Sequence, residues 1–229
     1  MKKILGVVLL IVILIGTACA EELDPEGATA APKEINHADS IYYPRIDFYN
    51  MTSTDGRIIL TNYPTCQQTT GYSCGNAAAL TVLKYFGNDS FDEATLIKLM
   101  KTDNRKGTTL GNMIKFFKNI GWEVQSSREL MEEDAFQEFV IKNLSAGKPI
   151  MIENVEWGGH WRVIIGCDTM GTENLYDDVL IFAEPFDTSD HNQDGYTVQS
   201  LDRFYSMWFD NNILPKCERN QAWLIATPK

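Results

Sequence analysis

The periodicity of the apolar residues changes at Pro149, and this change constrains the fold more than any other feature of the sequence. On the N-terminal side, apolar residues recur at helical spacing in four segments, 74–86, 90–101, 109–119 and 132–146. On the C-terminal side, strand-like segments occur at 149–155, 160–168, 178–184 and 222–228, with one amphipathic helix near 199–209. This order is typical of the α+β class. We therefore expect an N-terminal helical half packed on a C-terminal antiparallel sheet, with a cleft between the two halves.

The first twenty residues have the pattern of a secretory signal peptide. Two lysines precede an apolar run at 4–15, and small residues lead to a cleavage site after Ala20. A lipid anchor on Cys19 is an alternative, although Gly16 stands where a lipoprotein signal carries a bulky aliphatic residue, and an uncleaved membrane anchor is another. Each alternative predicts an exported, secreted or cell-surface protein.

The rest of the chain divides into a short linker and one domain. Residues 21–38 are acidic and rich in Ala and Pro, which predicts a flexible linker, and residues 39–229 are expected to form the domain. Within it, a turn signal at 53–56 predicts a hairpin over 41–60, and Ser90 with Glu93 predicts a capping box. The net charge of −11 argues against binding to nucleic acid. No second apolar run has the length of a membrane helix, so we expect no membrane span after signal cleavage.

Cys74 begins the first predicted helix and is followed by small residues, beginning with Gly75, Ala77 and Ala78. The N–H groups and the positive dipole at a helix N-terminus favour a thiolate over a thiol. Small residues would let this helix approach the sheet closely. Gln68, six residues earlier, could donate its side-chain amide to a developing oxyanion together with the Cys74 N–H. The alternative is a buried structural cysteine at an ordinary helix start.

His160 is the one histidine of three that opens an apolar strand. A cysteine nucleophile needs an imidazole as base and then as acid, and His160 can supply it. The alternative is a histidine satisfied by the backbone at a strand end. If the strands at 160–168 and 178–184 form a hairpin, Glu184 lies within one residue of the position opposite His160 and can accept its Nδ1 proton.

Signal cleavage would remove Cys19, and Cys74 must stay reduced to act, so the three other cysteines allow one disulfide at most. We expect a bridge from Cys66 to Cys217 and a buried thiol at Cys167, although sequence alone does not fix the connectivity.

These motifs resemble those of the papain-like superfamily. Gln68 with Cys74, the Gly-His-Trp sequence at His160 and the Glu-Pro sequence at Glu184 are similar to bacteriocin-processing peptidases, whose members fused to ABC transporters cut leader peptides after a double glycine. The similarity covers about residues 55–227. It implies a papain-like fold with Gln68 as oxyanion donor, Cys74 as nucleophile, His160 as base and Glu184 as the orienting residue. The family usually has Asp or Asn before that proline, which leaves Asp187 as an alternative orienting residue.

The sequence therefore predicts an exported cysteine peptidase or related thiol hydrolase that cleaves peptide or isopeptide bonds of a peptide or protein substrate through a thioester. No cofactor or metal is expected, since the calcium-loop-like segment 190–195 has Leu201 where the bidentate Glu belongs. We expect an Asx-rich structural loop there, with a calcium site as the alternative. Transpeptidation would use the same groups. The alternatives are a catalytically inactive, peptidase-like binding module at the cell surface and a structural surface protein.

Overall fold

The computed structural model describes residues 29–30, 42–127, 129–188, 193–211 and 214–229. The predicted signal peptide, and all of the predicted linker except residues 29–30, lie outside this part of the chain. No helix among the described residues combines the length and the apolar character needed to cross a membrane.

The described residues form nine strands and five helices. The strands are β1 (Thr29–Ala30), β2 (Arg57–Ile59), β3 (Cys66–Gln67), β4 (Glu123–Ser126), β5 (Ile150–Asn154), β6 (His160–Asp168), β7 (Val179–Ala183), β8 (Tyr196–Ser200) and β9 (Trp223–Thr227). The helices are α1 (Cys74–Tyr85), α2 (Glu93–Leu99), α3 (Leu110–Asn119), α4 (Glu133–Ser145) and α5 (Leu201–Ser206). Three of the helices are consecutive after β3, and four of the strands are consecutive after α4. Short 3-10 turns occur at Glu156–Gly158, Leu175–Asp177 and Lys216–Glu218.

One antiparallel sheet forms the centre of the fold, in the strand order β4-β9-β5-β6-β7-β8. Strand β2 pairs with the last three residues of β6, beyond the part of β6 that pairs with β5. Strands β1 and β3 pair with each other outside this sheet. All residues of β6 except the last are buried, because helices cover both faces of the strand.

Neighbouring residues of β6 show which helices cover each face, because side chains alternate along a strand. Trp161 faces α1, where a Cβ atom on Gly75 would lie 3.1 Å from the Trp161 ring. The small residue at position 75 therefore permits close contact between helix and sheet. On the opposite face, the Arg162 guanidinium lies 4.0 Å from the centre of the Phe182 ring, and Phe204 of α5 packs beside it.

The structure confirms the α+β class and the four predicted helices, with corrections at their ends and between them. The predicted hairpin over 41–60 is wrong for the described residues: Thr54 N donates to Arg57 O in a turn, but β2 then pairs with β6. Helix α2 begins later than the capping box predicts, because Asp92 and not Ser90 accepts the first-turn N–H, that of Thr95. The sequence patterns do not predict strands β1, β3, β4 and β8.

The predicted Cys66–Cys217 disulfide is also wrong, since all four cysteines of the described residues are free thiols. The Cys66 side chain in β3 is 1 % exposed within the core, whereas Cys217 is exposed on a surface turn. One side chain faces the core and the other faces solvent, so they do not meet. Cys167 is buried in β6 as expected. Burial raises the pKa of Cys66 to about 11 and that of Cys167 to about 12, so both stay protonated and unreactive.

Candidate active site

Cys74 is the first residue of α1, with its side chain 7 % exposed. The N-cap residue Ser73 makes no side-chain capping bond to the helix. Its hydroxyl instead bonds with Thr70 Oγ1 at 2.7 Å, which ties down the loop that precedes α1. The N-terminus of α1, where Cys74 lies, is therefore free of a capping side chain.

His160 reaches Cys74 from the first position of β6. Gly159, with φ of 129°, adopts a backbone conformation open mainly to glycine just before this strand begins. The imidazole is 3 % exposed, hydrogen-bonds with Cys74 and forms an ion pair through Nε2 with Glu184 Oε1. Burial by itself would lower the pKa of His160, but the charge of Glu184 and the hydrogen bond to Cys74 outweigh it. The net effect is a raised pKa, which favours the imidazolium.

Glu184 follows β7 directly, and the β6–β7 register explains its position. Val163 faces Ala183 in this pairing, so the next residue along β7, Glu184, faces Arg162 and is the diagonal neighbour of His160 on one face of the sheet. The pairing shifts at a bulge between Ile164 and Gly166, and Glu184 lies two residues from the position opposite His160 instead of the predicted one. The predicted contact of Glu184 with His160 is nevertheless present. The ring nitrogen differs from the prediction: Nε2 contacts Glu184, which leaves Nδ1 for Cys74.

Arg162 is a buried partner of Glu184 that the sequence analysis missed. Its Nη1 lies 3.6 Å from Glu184 Oε2, and its Nη2 lies 3.1 Å from Glu156 Oε2. Burial would raise the pKa of Glu184, but the His160 and Arg162 charges outweigh it and hold that pKa below its usual value. The signal was present in the sequence, because a residue two positions after His160 on a strand shares its face. Arg162 therefore keeps Glu184 ionised beside the imidazole.

Gln68 lies next to the segment that carries Glu184, since its backbone N–H donates to Pro185 O at 2.8 Å. Its side-chain Nε2 donates to Thr70 O at 2.7 Å. That bond uses one of the two amide hydrogens and leaves the second for an oxyanion. Among the described hydrogen bonds, none joins Gln68 to Cys74.

Asp187, the alternative orienting residue, has a different position. Its Oδ2 accepts the Gly195 N–H at 2.9 Å, and its own N–H donates to Gln67 Oε1 at 3.1 Å. These bonds close the base of the loop after β7. Glu184 and not Asp187 is thus the carboxylate that contacts His160.

Two cavities border the site, and Trp157 lines both of them. A cavity of about 130 Å³ is lined by Cys74, Glu153 and Trp161, among others. A second cavity, of about 620 Å³, is lined by Arg162 and Glu184, among others. The exposed Trp157 packs edge-on against Phe186, with ring centres 5.7 Å apart, and forms an aromatic rim that a peptide can contact.

No metal cluster occurs in the part of the chain that the structure describes: no three His, Cys, Asp or Glu side chains are arranged there to hold an ion. Residues 190–192 of the calcium-loop-like segment lie outside the described residues.

The sequence and the fold of this chain are both similar to those of known proteins. A family model described as papain-like cysteine protease AvrRpt2 matches residues 58–206. The peptidase domain of Streptococcus ComA, a bi-functional ABC transporter involved in a quorum sensing pathway, aligns with a TM-score of 0.50 and 21 % identity, covering 71 % of this chain and 96 % of that domain. The peptidase domain of Streptococcus mutans ComA aligns with a TM-score of 0.43 and 21 % identity, covering 71 % and 97 %. No curated protein matches the chain significantly.

The family match confirms the resemblance to papain-like peptidases, and the likeness to the first ComA domain confirms the fold. The matched segment contains Cys74, His160 and Glu184, and it spans more than half of the chain. The protein therefore belongs to the AvrRpt2 family of papain-like cysteine proteases, and it is a cysteine peptidase.

Proposed function

We propose that the protein is an exported peptidase that cleaves peptide or isopeptide bonds with Cys74 as nucleophile, His160 as acid and base, and Glu184 as the orienting residue. The observation that carries this proposal is the buried series of contacts from Cys74 through His160 to Glu184 beside a cavity. Export rests on the signal-peptide pattern of residues 1–20, and a protein or peptide substrate is what the family supports.

Acylation begins with attack of the Cys74 sulfur on the substrate carbonyl carbon. The oxyanion that forms accepts hydrogen bonds from the Cys74 N–H and from the free amide hydrogen of Gln68. His160 then gives its proton to the leaving amine, and the C–N bond breaks as the thioester forms. The first product leaves as a free amine.

Deacylation uses the same groups in reverse order. His160, now neutral, takes a proton from water, and the resulting hydroxide attacks the thioester carbonyl. The second oxyanion occupies the same site as the first. Its collapse releases the carboxylic acid and restores the Cys74 thiolate with a protonated His160. An amine in place of water would give transpeptidation through the same thioester.

The Glu184–Arg162 pair supports the peptidase over the inactive binding module. The reason to consider an inactive module is Glu184, a longer carboxylate than the family usually places there. In this chain Oε1 of Glu184 contacts His160 while Oε2 lies near Arg162, so both oxygens have a charged neighbour. A carboxylate held in this way orients the ring and stabilises the imidazolium.

Peptide cleavage by the chain without residues 1–20 tests the proposal. We expect a peptide library incubated with the reduced protein to yield new termini detectable by mass spectrometry. The Cys74→Ala variant should yield none. Cys217→Ala, which removes an exposed thiol that lines neither cavity, is the matched control and should cleave like the wild type. Cleavage by Cys74→Ala, or an inactive wild type with Cys74 reduced, would contradict the proposal.

A further inference from the structure

Two buried carboxyl groups line the smaller cavity, together with Cys74. Glu153 is 2 % exposed and Asp210 is 0 % exposed, and their side chains hydrogen-bond with each other. Glu153 lies on β5 opposite Trp161, the residue after His160. A substrate whose carbonyl carbon meets the Cys74 sulfur therefore places a neighbouring side chain within reach of this carboxyl pair.

Within the part of the chain that the structure describes, Glu153 of this carboxyl pair is incompletely satisfied. A hydrogen bond between two carboxyl groups requires that one of them keep a proton. Burial, and then the charge and hydrogen bond of Asp210, raise the pKa of Glu153. The second oxygen, Glu153 Oε2, is buried and has no hydrogen-bond partner among the described residues. Within the same part of the chain, Glu153 forms no salt bridge.

An unsatisfied buried carboxyl oxygen is costly for the folded protein. Apolar residues of similar size at this position would commonly be neutral or stabilising. The stability of the folded protein therefore does not explain why this carboxyl pair is present. A cation in the cavity would supply the missing donor through a charge-assisted hydrogen bond, and the shared proton would leave to water.

We propose that this cavity is the subsite for a lysine or arginine side chain of the substrate, next to the bond that is cut. This inference rests on the proposed peptidase function and names the class of peptide that the site prefers. Glu153 and Asp210 are its specificity-determining residues.

The surroundings of the carboxyl pair fit a basic side chain. Trp157 and Trp161 also line the cavity and offer apolar surface to the methylene stem of lysine or arginine. The net charge of −11 attracts basic peptides over distance. Arg105 and Lys106 line the cavity as well, but both are exposed, so solvent and salt screen their repulsion more than they screen the attraction of the buried pair.

Matched peptides test this subsite by binding as well as by cleavage. The peptides share one neutral sequence and carry lysine, arginine, norleucine or glutamate at each position in turn. Their affinities for Cys74→Ala are measured by calorimetry, and their kcat/KM values with the wild type. At one position beside the cleaved bond, we expect lysine and arginine to exceed norleucine by about 10- to 100-fold in both measurements. Glutamate should be the poorest.

Two variants show whether the carboxyl pair causes the preference. Glu153→Gln and Asp210→Asn should each lower the ratio of lysine to norleucine by about tenfold or more, and either one suffices if the other does not fold. Glu123→Gln, an exposed carboxylate on β4, is the control and should keep the ratio. An unchanged ratio in both folded variants, or a wild type that prefers norleucine, would overturn the subsite. If Cys74→Ala binds the lysine peptide preferentially but the wild type cuts none, the subsite stands and the peptidase function fails.

Discussion

The His160→Ala variant is expected to lose about 10³-fold in kcat/KM on the best peptide found for the wild type. Without the imidazole, Cys74 has neither the base that forms its thiolate nor the acid that protonates the leaving amine. The fold should survive, because Glu184 keeps its contact with Arg162. Initial rates measured at equal concentrations of reduced protein give the ratio, and circular dichroism checks the fold.

His37→Ala is the control for this loss, because His37 belongs to the predicted linker. It should cleave at the wild-type rate. A folded His160→Ala protein that keeps more than about a tenth of the wild-type kcat/KM would contradict the role of His160, since general acid–base groups contribute at least 10²-fold as a rule.

Glu184→Gln is expected to lower kcat by about 10- to 100-fold and to move the alkaline limb of the pH–rate profile to lower pH. The Glu184 charge is one reason why the pKa of His160 is raised. Its removal lowers that pKa, so the ring loses its proton at a lower pH and the active ion pair disappears earlier as pH rises. The amide oxygen of glutamine can still accept from Nε2, so the ring should keep its orientation. Rates of cleavage from pH 5 to 10 measure both effects.

Glu184→Asp separates the charge of this residue from its length. The aspartate keeps a negative charge beside His160, so the alkaline limb should stay close to that of the wild type even if kcat falls. If Glu184→Gln leaves both kcat and the alkaline limb unchanged, Glu184 does not act on His160. If kcat falls but the alkaline limb of the pH–rate profile does not move, Glu184 only holds the His160 ring in position and does not change its pKa.

The sequence allowed the main contacts of the site to be predicted because they depend on strong local signals. Cys74 lies at a helix start marked by small residues, and His160 lies at the first position of an apolar strand. The contact of Glu184 followed from hairpin geometry. This contact forms despite the bulge near Ile164, because the long Glu184 side chain reaches a diagonal neighbour as well as the residue directly opposite.

The features that were missed depend on tertiary packing. Strand alternation places Arg162 on the same face as His160. It does not reveal that Arg162 is buried between Glu156 and Glu184. Asp210 meets Glu153 although 57 positions separate them in the printed sequence. Strand β4 has two exposed residues among its four and lacks a strong apolar pattern. The prediction of a Cys66–Cys217 disulfide was wrong because the number of cysteines does not show which side chains face the core.

The relative alkylation rates of the cysteines at pH 6 test the central claim most directly. The protein is treated with iodoacetamide, and the modified residues are located by mass spectrometry over time. A Cys74 thiolate paired with His160 should react well before Cys217, although Cys217 is the exposed thiol and Cys74 is only 7 % exposed. Cys66 and Cys167 should stay unmodified in the folded protein, and His160→Ala should remove the advantage of Cys74. If Cys217 reacts first in the wild type, or if Cys74 reacts at the same rate with and without His160, the account of a Cys74–His160 nucleophile is contradicted.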